Sequence, residues 1–185
     1  MIDLTQWNFI KSHTITHPYG INDEYQIKIV AYKGRGISNN STVYLNERCK
    51  SDFSDIRFTD SNYNLLNYWI EEVNTEYAII WIKLPTILPQ NTIYIIYGNE
   101  NAESLSDGES TFLFFDGFDN VLIDETKWNI SELGGGSLTL SNSELTITKL
   151  DTNTIISKIY TNEVLSLNNT SIIVKIKPTD IYINN

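Results

Sequence analysis

Apolar side chains recur at every second position in short runs along this chain, and clusters of Gly, Asn, Asp, Ser and Pro break the runs apart. A period of two puts alternate side chains on opposite faces of a strand, so each run can bury one face against an opposing layer. The clearest run is YQIKIVAY, with Tyr25, Ile27, Ile29 and Ala31 on one face and Gln26, Lys28, Val30 and Tyr32 on the other. The loop KGRGISNNS follows, rich in residues that tolerate positive φ. STVYLN and DIRFTD read as further strands; in the second, Ile56 and Phe58 share a face and Arg57 opposes them. EYAIIWIKLP is apolar on both faces, Ile79 and Trp81 against Ala78, Ile80, Ile82 and Leu84, which predicts a central strand covered on both sides with Trp81 in the core.

Pro85 and Pro89 bracket the next connection, because proline cannot donate to a ladder. NTIYIIYGN is then a strand closed by Gly98. NLLNYWIEEVN suits a short helix or a bulged strand; its neighbours favour the strand. The polar stretch NAESLSDGEST reads as a linker or long turn, FLFFDGF resumes an apolar run, and LIDETKWNIS has room for one helical turn. SLTLSNSELTI is a hairpin pattern, with Leu138 and Leu140, a turn at Ser141 to Ser143, then Leu145 and Ile147. NTIISKIYT and SIIVKIKPT read as two more strands. No long segment carries a 3.6-residue apolar period. Many short strands with frequent turns predict an all-β chain, an antiparallel β-sandwich of jelly-roll type.

The net charge of −10 argues against a nucleic-acid partner, whose phosphates would be repelled, and against an anionic membrane surface. It leaves carboxylates for solubility or for a hard cation such as calcium. Cys49 is the one cysteine, so no intrachain disulfide forms, and a buried inert thiol is expected. No apolar run is long enough to span a bilayer. The opening MIDLTQWNFI has no basic-then-apolar leader pattern, which implies a chain separated from its leader or one carried in a particle such as a virion.

The phrases WNFIKSHTIT, CKSDFSDIRFTD, LLNYWIEE and YAIIWIKLPTILPQNTIYIIYGNENAESLSDGESTFLFFDGF occur here in that order. Together they resemble the family called domain of unknown function 2341, over about residues 5–115. FFDGFDNVLIDETKWNISELGGGSLTL is similar to the opening of a concanavalin A-like lectin or glucanase sandwich. The resemblance implies a surface protein of archaea, bacteria or their viruses, and no assigned reaction. It also implies a division into residues 1–106 as one sandwich, 107–111 as a linker, and 112–185 as a partial concanavalin-like sandwich. That second unit is expected to be a fragment or to be completed by a strand from another chain, since an open edge recruits one.

Chemistry is sparse. Glycoside hydrolysis needs two carboxylates held across the sugar bond. No strand after Phe112 spaces them suitably, and Glu71 and Glu72 are adjacent, so a regular strand would point them to opposite faces. No nucleophile elbow, P-loop, dinucleotide fingerprint or H-E-x-x-H motif is present. Arg57 and Glu71 are expected to form a partly buried ion pair linking two strands, with Asp55 or Asp60 accepting backbone donors at a turn. Asp116 and Asp119 are candidate ligands for a structural calcium, a site that concanavalin-like sandwiches imply; the alternative is a solvated Asp-Gly turn. Tyr19, Tyr44 and Tyr63 are candidates for stacking on sugars. Asn-x-Ser/Thr phrases at Asn40, Asn129 and Asn168 arise by chance in so Asn- and Thr-rich a chain.

The expected function is a non-catalytic structural or adhesion module on a cell surface or virion, with no catalytic residues and other protein chains as partners. A carbohydrate-binding module, with glycans as partners, is the alternative. A glycoside hydrolase fragment is the third reading.

Overall fold

The alternating runs become strands. The structure, a computed structural model, describes residues 3–16, 24–86, 88–133, 137–148, 156–162, 172 and 174. The chain divides into two compact units, Met1–Gly117 and Phe118–Asn185.

In the first unit the strands are β1 (Phe9–Thr16), β2 (Tyr25–Tyr32), β3 (Thr42–Tyr44), β4 (Arg57–Thr59), β5 (Tyr68–Val73), β6 (Tyr77–Leu84) and β7 (Gln90–Tyr97). They form two sheets, ordered β3-β2-β6-β5 and β1-β7-β4. All the pairings are antiparallel except β2 with β3. Their inner faces meet in one core. Ile27, Ile29, Ala31, Ala78, Ile80, Ile82 and Leu84 come from the larger sheet, and Ile15, Phe58, Ile93, Ile95 and Tyr97 from the smaller. This is a β-sandwich, as the period-two reading requires. Each fully buried Ile contributes roughly 1.5–3 kcal/mol by leaving water.

β6 is central, as its apolar composition predicts, but its two faces differ. Ala78, Ile80, Ile82 and Leu84 are buried, while Ile79, Trp81 and Lys83 are half-buried on the outer face. Trp81 is therefore outside the core it was assigned to. β5 is a bulged strand, with the irregularity between Ile70 and Glu72. β6 stops at Leu84, just before Pro85, and β7 begins just after Pro89 and ends before Gly98.

Residues 107–111, expected as a linker, instead form a helical turn and its cap. In α1 (Gly108–Thr111) the Asp107 carboxylate accepts from the Ser110 amide at 3.1 Å and its hydroxyl at 2.6 Å. The Asp107 amide donates to the Tyr68 carbonyl at 2.8 Å, which ties the turn to β5. Phe112 and Phe115, expected to open the second sandwich, belong to the first unit. Their rings lie 5.7 and 4.7 Å from Trp69, and Phe112 lies 5.8 Å from Trp81. Uncovered indole on the outer face supplies the apolar surface that draws this run back.

In the second unit β8 (Trp128–Leu133) pairs with β11 (Ile156–Thr161), and β9 (Ser137–Ser141) pairs with β10 (Glu144–Thr148). Asn142 and Ser143 both have positive φ, 52° and 59°, which makes the two-residue type I′ turn whose twist suits a hairpin. The helical turn foreseen before Trp128 is present: the Trp128 amide donates to the Asp124 carbonyl at 3.0 Å. The strand expected at SIIVKIKPT lies largely outside the described residues.

Gly98 tests the packing at the end of β7. Its φ is +85°, and a Cβ there would meet the Phe9 ring at 2.5 Å. Gly98→Ala is expected to cost at least about 2 kcal/mol in urea unfolding, from backbone strain and overpacking together. Gly34→Ala, where a Cβ meets nothing within 4 Å, should leave the midpoint nearly unchanged and serves as the control.

Candidate functional site

Among the described residues of the first unit, chemistry-bearing side chains gather in three places: the outer face of the larger sheet, the buried polar groups around β4, and a cleft at the free edge of β1. On the outer face, Tyr32 lies between Tyr44 and Tyr77, with ring centroids 5.1 and 5.5 Å away. The other side of the Tyr44 ring is closed by the backbone of Gly36, where a Cβ would come within 2.5 Å of it. The bulge in β5 brings both neighbouring carboxylates to this face. Glu71 accepts from the Trp81 indole N–H at 2.7 Å, and Glu72 from the Tyr77 hydroxyl at 3.3 Å. The expectation that they point to opposite faces fails because the extra residue resets the alternation. The rings and carboxylates of this layer are engaged with one another, and Tyr44 offers no open ring face. Tyr63 stacks on Tyr94 at 5.0 Å, and Tyr19 lies outside the described residues.

Around β4 the polar groups brace loops. Arg57 is 6 % exposed. Its guanidinium donates to the carbonyls of Ser54, Ile56 and Glu103 at 3.0, 2.7 and 2.6 Å and to the Tyr68 hydroxyl at 3.3 Å. The ring of Trp7 covers it at 5.1 Å. The expected Arg57–Glu71 pair is therefore replaced by two separate engagements. Carbonyls suit the guanidinium because it carries five donors in a fixed fork and the 99–106 loop needs its acceptors filled. Asp55 accepts backbone donors as foreseen: the amides of Lys50 at 2.9 Å and Gly98 at 2.7 Å. Asp60 does the same at a turn, from Asn62 at 2.8 Å and Asn64 at 2.9 Å. Burial pushes the Cys49 thiol up to about 11, helped by the Asp55 carboxylate, so it is protonated and unreactive at neutral pH.

The cleft lies where β1 has no neighbouring strand among the described residues. It is an open depression of about 350 Å³, lined among the described residues by Ser12, His13, Thr14 and Thr16 of β1 and by Ser38, Asn39 and Asn40 of the loop before β3. The loop is fixed by its own side chains. The Asn40 carboxamide accepts from the Thr16 amide at 2.5 Å and donates to its carbonyl at 3.1 Å, which copies a strand pairing. Asn39 accepts from the Ser41 amide at 3.0 Å, and Ser38 from the Tyr44 amide at 3.2 Å. His13 points inward beside the core and is 3 % exposed, yet its Nε2 has no hydrogen-bond partner. Burial lowers its pKa, opposed by the Asn40 backbone and assisted by the Lys11 ammonium.

Of these residues the sequence drew notice to Asn40, as a chance glycosylation phrase, and to His13, as a histidine far in sequence from Cys49. The available signal was the loop ISNNST, where five hydrogen-bonding side chains follow one another. Asp116 and Asp119 fall on either side of the boundary at Gly117, in different compact units. Among the described residues no group of three or more His, Cys, Asp or Glu side chains is placed to hold a metal ion. No described helix is long and apolar enough to cross a membrane.

Residues 52–131 match a family model described as Domain of unknown function (DUF2341). The match supports the first part of the resemblance with different limits: it omits β1 to β3 and runs past Gly117 into the second unit. It leaves the concanavalin-like opening without a family match of its own. No curated protein and no solved structure matches the chain.

Asp55→Ala would leave one buried and one part-buried amide unpaired, and unfolding is expected to become easier by about 2–4 kcal/mol. His13 makes stability depend on pH. The folded state binds its proton less readily than the unfolded state, so its contribution is complete above about pH 6.5 and is lost as pH falls below that value. Urea titrations on either side of that pH should show the decline in the native chain and a flatter profile in His13→Gln. Identical profiles would remove His13 as the cause.

Proposed function

We propose that this chain is a non-catalytic structural or adhesion module of a cell surface or a virion, working by association with other protein chains. The observation that carries this is the apolar face of the β9–β10 ribbon. Leu138 opposes Ile147 and Leu140 opposes Leu145, so the four side chains share one side of the hairpin. Ile147 is 47 % exposed, and the other three are half-buried. A two-stranded ribbon is marginal by itself, and covering such a face by another layer removes apolar area from water.

Other features fit the same role. Ile130 in β8 and Tyr160 in β11 are also exposed, at 39 and 50 %. The charge of −10 keeps single chains apart until a complementary surface is offered. In the first unit, the strongest polar interactions brace loops and strand ends, as a load-carrying or display role requires.

Light scattering over a range of concentrations tests the reading. Association is expected, and Leu138→Ser with Ile147→Ser should weaken it by tenfold or more while circular dichroism stays β-rich. A monomer at every concentration, or an assembly indifferent to these substitutions, counts against it. Turnover of any polysaccharide would remove the non-catalytic part.

A further inference from the structure

The cleft at the edge of β1 has hydrogen-bonding capacity that the fold does not consume. Its walls are held by the Asn40–Thr16 clamp, the Asn39–Ser41 turn and the Ser38–Tyr44 bond, all within the protein. Between those walls the hydroxyls of Ser12 and Thr14 make no protein hydrogen bond among the described residues. The Nδ2 of Asn39 is likewise uncommitted, and Nε2 of His13 is buried without a partner. A buried nitrogen left unpaired costs about 1–3 kcal/mol, and a ligand group that reaches it recovers that cost.

The lining decides the class of ligand. The cleft residues are serine, threonine, asparagine and histidine. Among the described residues, no carboxylate lines the cleft to hold a cation and no lysine or arginine lines it to hold an anion, and the chain is strongly acidic. No described lining residue carries an apolar side chain to hold a hydrophobic ligand. Hydroxyls and carboxamides both donate and accept, so they match a neutral ligand whose own groups do both. A volume of about 350 Å³ sits at the small end of the range for ligand sites.

The outer face of the larger sheet, although richer in aromatic rings, is a weaker candidate. The Trp81 indole N–H and the Tyr77 hydroxyl are already bonded to Glu71 and Glu72, and the ring faces of Tyr44 are covered.

We propose that the cleft lined by Ser12, His13, Thr14, Ser38, Asn39 and Asn40 binds a neutral sugar residue. The ligand's hydroxyls bridge the β1 edge and the loop before β3, and one of them meets His13 Nε2. This goes beyond the assembly role and is carried by a different unit of the chain.

The test is a two-dimensional NMR titration of the whole chain with glucose, galactose, mannose and N-acetylglucosamine and their short oligomers. Sodium acetate and sodium phosphate serve as anionic probes. At least one neutral sugar is expected to shift the amides of Ser12, Thr14 and Asn39 and the imidazole of His13 in a saturable way. Ser12→Ala with Thr14→Val, two exposed positions, should weaken that binding by tenfold or more without altering the rest of the spectrum. His13→Gln, which keeps a hydrogen-bonding group, should weaken it by less. The idea is overturned if no neutral sugar shifts these residues at millimolar concentration. It is equally overturned if the shifts map elsewhere, if the anions compete equally well, or if the double variant binds undiminished. Loss of the same signals through self-association without sugar would assign the edge to strand pairing instead.

Discussion

Two sheets bury alternate side chains against each other in the first unit, and that arrangement obliges every connecting segment to find its hydrogen bonds away from the ladders. A backbone group buried without a partner costs about as much as a lost hydrogen bond. Asp55 and Arg57 meet this demand from opposite signs of charge. One carboxylate collects amides from residues 50 and 98; one guanidinium fills carbonyls at 54, 56 and 103. Asp55 lies two residues before β4, a strand of three residues, and Arg57 is its first residue. So short a strand keeps its place because these charged groups staple the loop that enters it to the segment that follows β7.

The surface follows from the same economy of polar groups. On the outer face of the larger sheet the bulge at Glu71 lets two carboxylates answer two ring donors. There the aromatic groups stabilise one another and receive Phe112 and Phe115 as a partial cover. At the edge of β1 the balance is different. Asn40 supplies a carboxamide where a neighbouring strand would supply a peptide, and it does so only at Thr16. The remaining edge and the imidazole beneath it keep their capacity, which is why a polar cleft forms at that side of the sandwich.

β2, β6, β7 and the β9–β10 hairpin were legible because their apolar residues alternate without interruption and their ends carry Pro or Gly or an Asn-Ser turn. β1 was not. Its inward positions are Phe9, Lys11, His13 and Ile15, so a lysine and a histidine interrupt the apolar register that marks a strand. Lys11 survives there because its ammonium reaches the Tyr44 carbonyl at 2.7 Å. The candidate site was hidden for the same reason: its key residue looked like one histidine in a polar stretch. The Arg57–Glu71 pairing failed because the outcome depends on which acceptors lie nearest, and the carbonyls of Ser54, Ile56 and Glu103 do.

What the sequence by itself determined is the all-β class, the faces of the regular strands and the turns between them, because period and turn chemistry are local properties of the backbone. Tertiary structure alone decided the boundary at Gly117, the destination of Phe112 and Phe115, the common face of Glu71 and Glu72, and the cleft around His13. Each of those depends on groups far apart in the chain competing for the same buried surface or the same hydrogen bond, and that competition is settled only when the sheets come together.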